Sequence, residues 1–349
     1  MIGRIVRVLR GLALGAALLA SACTRDTVDA KSCTQNPNGG AILESCSRAI
    51  ASGRLSPSKL ATALYNRGIA YQDRGDLDRA IADFDRVVEL RPDTSKAFYN
   101  RAISYLRKGE FERAIKDFDR VVQLTPDYAP GLMNRGNAYR SLLAFDRAIQ
   151  DYDQAIRLSP EYAVAFSNRG VAYMNKELYD RAIEDFDKVV RLKPDDGRSY
   201  RDRGSALYDK GEFKRAAQDL VKATELQRDD PYAAIRRFLA ESRAGIDATA
   251  RLRDGVSGID LQAWPGPVIS MYLGDGSPDQ VLEAAKQAPA HAEAQREHLS
   301  EAYYYVGHGL MVRGQRAKAI EMFRAAVAAG PTSAIEYAGA HAELERLGR

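Results

Sequence analysis

An all-α solenoid of stacked helical hairpins is the fold class this sequence predicts, and three observations predict it. One phrase of 34 residues is written five times between residues 61 and 230. Within each copy, apolar residues recur at helical rather than strand spacing. A proline closes each of the first four copies, at Pro92, Pro126, Pro160 and Pro194. A fixed period of this length sets the architecture before local propensity does. Each unit is too small to bury its own apolar face and must stack on the next.

The copies share landmarks. A large apolar residue opens the first helix: Leu64, Phe98, Leu132, Phe166, Tyr200. Four positions on, Gly68, Ala102, Gly136, Gly170 and Gly204 lie on the same helical face and leave room for a neighbouring helix. Tyr71, Tyr105, Tyr139 and Tyr173 follow, with Leu207 in the fifth copy. The second helix repeats the device with Ala80, Ala114, Ala148, Ala182 and Ala216, each followed by Phe84, Phe118, Tyr152, Phe186 or Leu220. The closing proline has no N–H to extend a helix, so a new unit begins beyond it. Period and spelling resemble the tetratricopeptide repeat (TPR), a pair of antiparallel helices per unit wound into a right-handed superhelix. The five copies are then residues 61–94, 95–128, 129–162, 163–196 and 197–230.

Composition agrees. Charged residues make up 28% of the chain and aromatics 8%, which suits amphipathic helices with one buried stripe each. The formal charge is +4, but Arg4, Arg7 and Arg10 supply most of it from a segment without acids. The remainder is close to neutral and gives no electrostatic reason to expect nucleic acid as a partner.

Residues 1–22 read as an export signal. Three arginines precede the apolar run Leu12-Ala13-Leu14-Gly15-Ala16-Ala17-Leu18-Leu19, and Ala20-Ser21-Ala22 supply small residues before a cut. The apolar run is short for a permanent membrane span. Leu19-Ala20-Ser21-Ala22-Cys23 resembles a bacterial lipobox, which implies acylation of Cys23, although Ala20 stands where such boxes usually have leucine. An ordinary secretory cut, leaving Cys23 a thiol, is the alternative. With Cys23 acylated, Cys33 and Cys46 remain. They are expected to form a disulfide closing a loop of about 14 residues, for which chain entropy suggests about 3 kcal/mol; two buried thiols are the bland alternative. Residues 23–40 read as anchor and tether, and 41–60 as an N-terminal capping helix region.

The inner side of each first helix is the expected interaction surface. Carrying the TPR frame over, Tyr65, Asn66, Tyr99, Asn100, Met133, Asn134 and Asn168 point there or border it, with Asn137 one turn further on. Aromatic and Met side chains beside a column of amides suit a peptide groove, since amides can pair with a peptide backbone. The asparagines suit a tie between adjacent helices equally well. A two-carboxylate clamp is not expected, because the fifth position of each copy carries no lysine. Arg67, Arg101, Arg135, Arg169 and Arg203 run beside Asp83, Asp117, Asp151, Asp185 and Asp219 and read as inter-helix ion pairs, worth little if exposed.

Beyond Leu226 the spelling decays, and residues 231–299 read as a degenerate helical region. The landmarks return in residues 300–333 at Tyr303, Gly307, Gly314, Ala319, Phe323, Ala326 and Pro331. Residues 334–349 read as a helix capping the apolar end that a solenoid leaves open. His298-Leu299-Ser300-Glu301-Ala302-Tyr303-Tyr304-Tyr305-Val306-Gly307, Ala319-Ile320-Glu321-Met322-Phe323 and Glu336-Tyr337 look like the end of the NlpI-type TPR lipoproteins. So do Met271-Tyr272-Leu273-Gly274-Asp275 and the order of lipobox, repeats, eroded middle and cap. That resemblance implies an outer-membrane adaptor facing the periplasm, which brings peptidoglycan endopeptidases to a processing protease and can dimerise. A pilotin or assembly factor of a secretion or pilus system is the alternative role.

No catalytic or metal-ligating motif is present in the sequence. The four histidines, His291, His298, His308 and His341, lie outside the five copies, and no phosphate loop, nucleophile elbow or paired-cysteine knuckle occurs. The expectation is a non-enzyme without cofactor that holds proteins or peptides.

Overall fold

The computed structural model describes residues 31–33, 42–287, 292–329 and 335–348. The expected signal segment and Cys23 lie outside these. Among the described residues every regular element is a helix. The chain divides into two compact units, residues 1–138 and 139–349.

The first unit holds α1 (Ile42–Ala51), α2 (Pro57–Asp73), α3 (Leu77–Leu90), α4 (Ser95–Arg107), α5 (Phe111–Leu124) and most of α6 (Ala129–Ser141). Local chemistry sets their ends. Ser56 accepts from the Lys59 N–H and Pro57 occupies the first turn of α2, where its missing N–H costs nothing. Asp76 caps α3 in the same way. Ala80, Ile81, Phe84 and Val87 then fall on one buried stripe of α3. Gly68 is small because the Phe84 ring lies over it: a Cβ there would meet the ring at 2.7 Å. The turn within each hairpin needs a left-handed residue, and Gly75 and Gly109 supply it at φ +78° and +75°. Cys33 and Cys46 are bonded, with Cα atoms 4.8 Å apart. They pack on Ala63, so residues 31–33, within the stretch read as a tether, form a helical turn seated on α2.

The second unit continues with α7 (Phe145–Leu158), α8 (Ala163–Asn175), α9 (Tyr179–Leu192), α10 (Gly197–Lys210) and α11 (Phe213–Leu226). Here the left-handed turn residue is Leu143 or Glu177, both at φ 58°, and then Gly211. The eroded middle forms α12 (Pro231–Arg243), α13 (Thr249–Gly255), α14 (Gly266–Leu273) and α15 (Pro278–Gln287). Asp230 caps α12 by accepting from the N–H groups of Tyr232 and Ala233. Ser277 and Gln280 exchange side-chain and backbone bonds at the start of α15. α16 (Ala292–Val312) and α17 (Arg316–Ala328) form the last hairpin, followed by α18 (Ile335–Arg346).

The terminal helix does more than cap an end: α18 packs on α16 and α17 and also lies against α8 and α10, the first helices of copies four and five. One apolar core therefore runs from Met174 and Phe186 through Phe238 and Tyr272 to Phe323 and Ala340. Within it sits a polar knot. The buried Arg236 donates to the Tyr304 hydroxyl at 3.0 Å and to Glu336 at 2.8 Å, and the Asp209 carboxylate is 3.5 Å away. His308 is buried, with its Nδ1 3.1 Å from the Tyr208 hydroxyl.

Candidate functional site

The arginine and aspartate columns form a ladder, and the ladder explains how each first helix is held. Arg101 on α4 makes two bonds to Asp117 on α5, at 2.7 and 2.6 Å, and a third to Asp85 on α3 at 2.7 Å. Arg169 and Arg203 do the same with Asp185 and Asp153 and with Asp219 and Asp187. Each guanidinium thus ties its own hairpin to the preceding one. Asp117 and Asp185 are buried, and burial pushes both carboxyls up against the pull of their arginines. The inner aspartates of these pairs are buried, so the low worth of exposed pairs does not apply to them. The second aspartate of the first four copies, Asp85, Asp119, Asp153 or Asp187, escaped the sequence reading. Its signal was present in the repeated Asp-aromatic-Asp spelling.

With the ladder assigned to scaffold, the asparagines can be placed. Asn66 does not face a groove: it is buried, and its amide donates to the Cys33 carbonyl at 2.7 Å. The amide of Asn100 donates to the Tyr65 hydroxyl at 2.8 Å, and that of Asn134 to the Tyr99 hydroxyl at 2.9 Å. The Asn column therefore ties the first helix of one copy to that of the copy before. Asn137 donates to the sulfur of Met133 at 3.3 Å. Asn168 lies elsewhere, on the wall of a separate cavity in the second unit.

Tyr65, Tyr99 and Asn100 do come together. With Thr94, Ser95, Lys96, Thr125 and Tyr128 they line a hollow of about 480 Å³ in the first unit. The Tyr99 and Tyr128 rings meet edge-on, with centroids 5.4 Å apart, and Tyr128 is 40% exposed. Lys96 is exposed at the rim. Burial raises the Tyr65 phenol, partly offset by the bond from Asn100. Its hydroxyl accepts that bond and keeps its proton as a donor. The hollow offers aromatic area, hydroxyl groups and one ammonium, a set that matches an extended peptide with apolar side chains and an acid. Sequence reasoning missed Lys96, Thr125 and Tyr128. The available signal was Tyr128, which with Tyr162 puts an aromatic at a turn position that Thr94 and Asp196 fill with polar side chains.

The sequence matches family models for the tetratricopeptide repeat over residues 65–129 and 170–241, and a TPR repeat model over residues 136–177. Among solved structures, the crystal structure of MamA is 28% identical, covering 46% of this chain and 94% of its own, with a TM-score of 0.44. PilF of Pseudomonas aeruginosa is 19% identical, covering 57% and 91%, with a TM-score of 0.50. PilW, a type IV pilus biogenesis factor, is 15% identical, covering 56% and 92%, with a TM-score of 0.51. The last two show a shared fold. The chain is an all-α solenoid built from tetratricopeptide repeats.

Proposed function

We propose that this protein is a non-catalytic adaptor that holds a peptide segment of a partner protein in the hollow of its first unit. The observation that carries the reading is the cluster of Tyr65, Tyr99 and Tyr128 with Lys96 at the rim, in which the Tyr128 ring stays 40% exposed. Repeat solenoids use such inner surfaces to bind other chains. The export signal in residues 1–22 and Cys23 support a site of action in the cell envelope, lipid-anchored in the outer membrane and facing the periplasm. The carboxyl-terminal resemblance to NlpI-type lipoproteins supports a peptidoglycan endopeptidase and a processing protease as partners, and a dimer as the assembled form. The exported but unanchored form is the alternative if Cys23 is not acylated.

Pull-down from detergent-solubilised envelope tests the role. The full chain should retain a peptidoglycan hydrolase or protease, and Tyr128→Ala combined with Lys96→Ala should release it. Recovery of neither at near-native abundance ends the reading. Stoichiometric recovery of a pilus or secretion subunit would favour an assembly factor, a role drawn from the fold likeness to PilF and PilW. Labelled palmitate should enter the wild type and not Cys23→Ser; equal labelling removes the anchor.

A further inference from the structure

In the second unit, α12, α16 and α18 close over the first helices of copies four and five and leave a cavity of about 490 Å³. That volume is in the range of small-ligand sites. Its charges are unevenly paired. Arg201 is held by Asp202 at 3.1 Å and Asp230 at 2.6 Å. Arg236 is held by Glu336 and Asp209. Glu301 on α16 has no such partner: among the described residues it makes no ion pair. Its Oε2 accepts only neutral donors, the Trp264 indole N–H at 2.8 Å and the Tyr232 hydroxyl at 3.4 Å. Glu297 and Glu336 add like charge nearby, and Tyr305 already donates to Glu336.

A carboxyl so placed lacks a counter-charge that water cannot fully replace. Arg140 lines the same cavity; it bonds Tyr152, but its buried Nε has no partner among the described residues and so offers a donor for a carbonyl oxygen. Val171 and Ile335 add apolar wall. We propose that this cavity binds the alkylammonium group of a peptide, with Glu301 as its counter-ion. The group could be a free amino terminus or a lysine side chain. The inference is independent of the groove in the first unit.

Burial and then the charge of Glu336 push the Glu301 carboxyl up to about 8, so at neutral pH the empty site holds a proton. An arriving ammonium displaces it. Glu297 on the same helix and Glu336 on α18 oppose ionisation. Tyr232 and Arg236 on α12, Arg201 and Asp202 on α10, Arg140, Trp264 and Tyr305 are the other groups around the cavity.

Titration calorimetry of the full chain at pH 7 tests this with trialanine amide, Nα-acetyl-lysine amide and N-acetyl-trialanine amide. At least one ammonium-bearing probe should bind, the one that does identifying the source, and the doubly blocked peptide should not. The measured heat should vary with the ionisation enthalpy of the buffer, reporting the released proton. Glu301→Gln should weaken binding at least tenfold and abolish the buffer dependence, with helical circular dichroism unchanged. If that variant fails to fold, Glu301→Asp should keep the buffer dependence at reduced affinity. Failure of both cationic probes, equal binding of the blocked peptide, or unchanged affinity in Glu301→Gln overturns the proposal.

Discussion

The amide of Asn100 donates to the hydroxyl of Tyr65 at 2.8 Å, 35 residues earlier in the chain. Asn134 and Tyr99 repeat the bond one copy on. The relationship fixes the spacing of successive first helices, and it makes Tyr65 both a strut and a wall of the hollow. Tyr65→Phe should therefore cost about 1 kcal/mol, since it strands the Asn100 amide. Asn100→Ala should cost a similar amount, and the double variant about 0.5–1 kcal/mol less than the sum. Urea denaturation of the four proteins measures this. Strict additivity would mean that the bond contributes nothing in solution.

The ladder predicts unequal costs for its two aspartates. Arg169→Met leaves Asp185 buried without its cation and should destabilise by about 2–3 kcal/mol. Asp153, on the more exposed side of the same guanidinium, should tolerate Asn with a loss below about 1 kcal/mol. Equal midpoints for the two variants in denaturant would show that the ladder is not organised around its buried rung.

Leu143 and Glu177 occupy a left-handed turn position that Gly75, Gly109 and Gly211 fill in the other copies. A side chain there carries a steric cost that glycine avoids, partly offset by the greater freedom of glycine in the unfolded chain. Leu143→Gly and Glu177→Gly should each stabilise by about 0.5–1 kcal/mol, and Gly75→Ala should destabilise by about 1 kcal/mol. Thermal unfolding checks both signs.

Stability should depend on pH through three groups, two raised carboxyls and one lowered imidazole, that act with opposite signs. The Glu301 carboxyl, raised from 4.5 to about 8, binds its proton more tightly in the folded state, so stability falls as pH rises through that interval. His308, lowered by burial from 6.5 to about 3, resists protonation in the fold, so stability falls as pH drops from 6.5 towards 3. Asp209, raised by burial to about 6, acts in the same sense as Glu301 but only below that pH. Between pH 6.5 and 8 Glu301 alone of the three should act. Glu301→Gln should flatten the decline there, whereas His308→Gln should steepen the decline from about 4.5 to 6.5. Denaturant midpoints across pH 4–8.5 read both, and a decline above pH 6.5 that survives in Glu301→Gln would assign it to another group.

How much of this was legible beforehand depends on sequence distance. The helix pairs could be read because their determinants are local. A proline just past a helix's last turn stops it without help from outside the copy, and Gly68 and Phe84 carry their size information in the copy that uses it. The ladder was half legible: both aspartates sit at repeated offsets, but the second pairs with the arginine of the following copy, which no single copy specifies. The hollow was half legible too. Tyr65 and Tyr99 were named, but Tyr128 and Lys96 reach it from a turn and a helix start whose approach no single copy specifies.

By itself the sequence determined that this is a repeating α-helical scaffold, since period, apolar spacing and helix stops are all written within each 34-residue copy. Only the tertiary structure decided which of its surfaces stay open. The asparagines turned from groove to strut because Tyr65 and Tyr99 lie within hydrogen-bonding reach of the next helix. The last helix is held to α12 because Arg236 and Arg243 need Glu336 and Glu343, each 100 residues further along. A buried charge must find its partner wherever the fold brings one, and no local pattern records where that is.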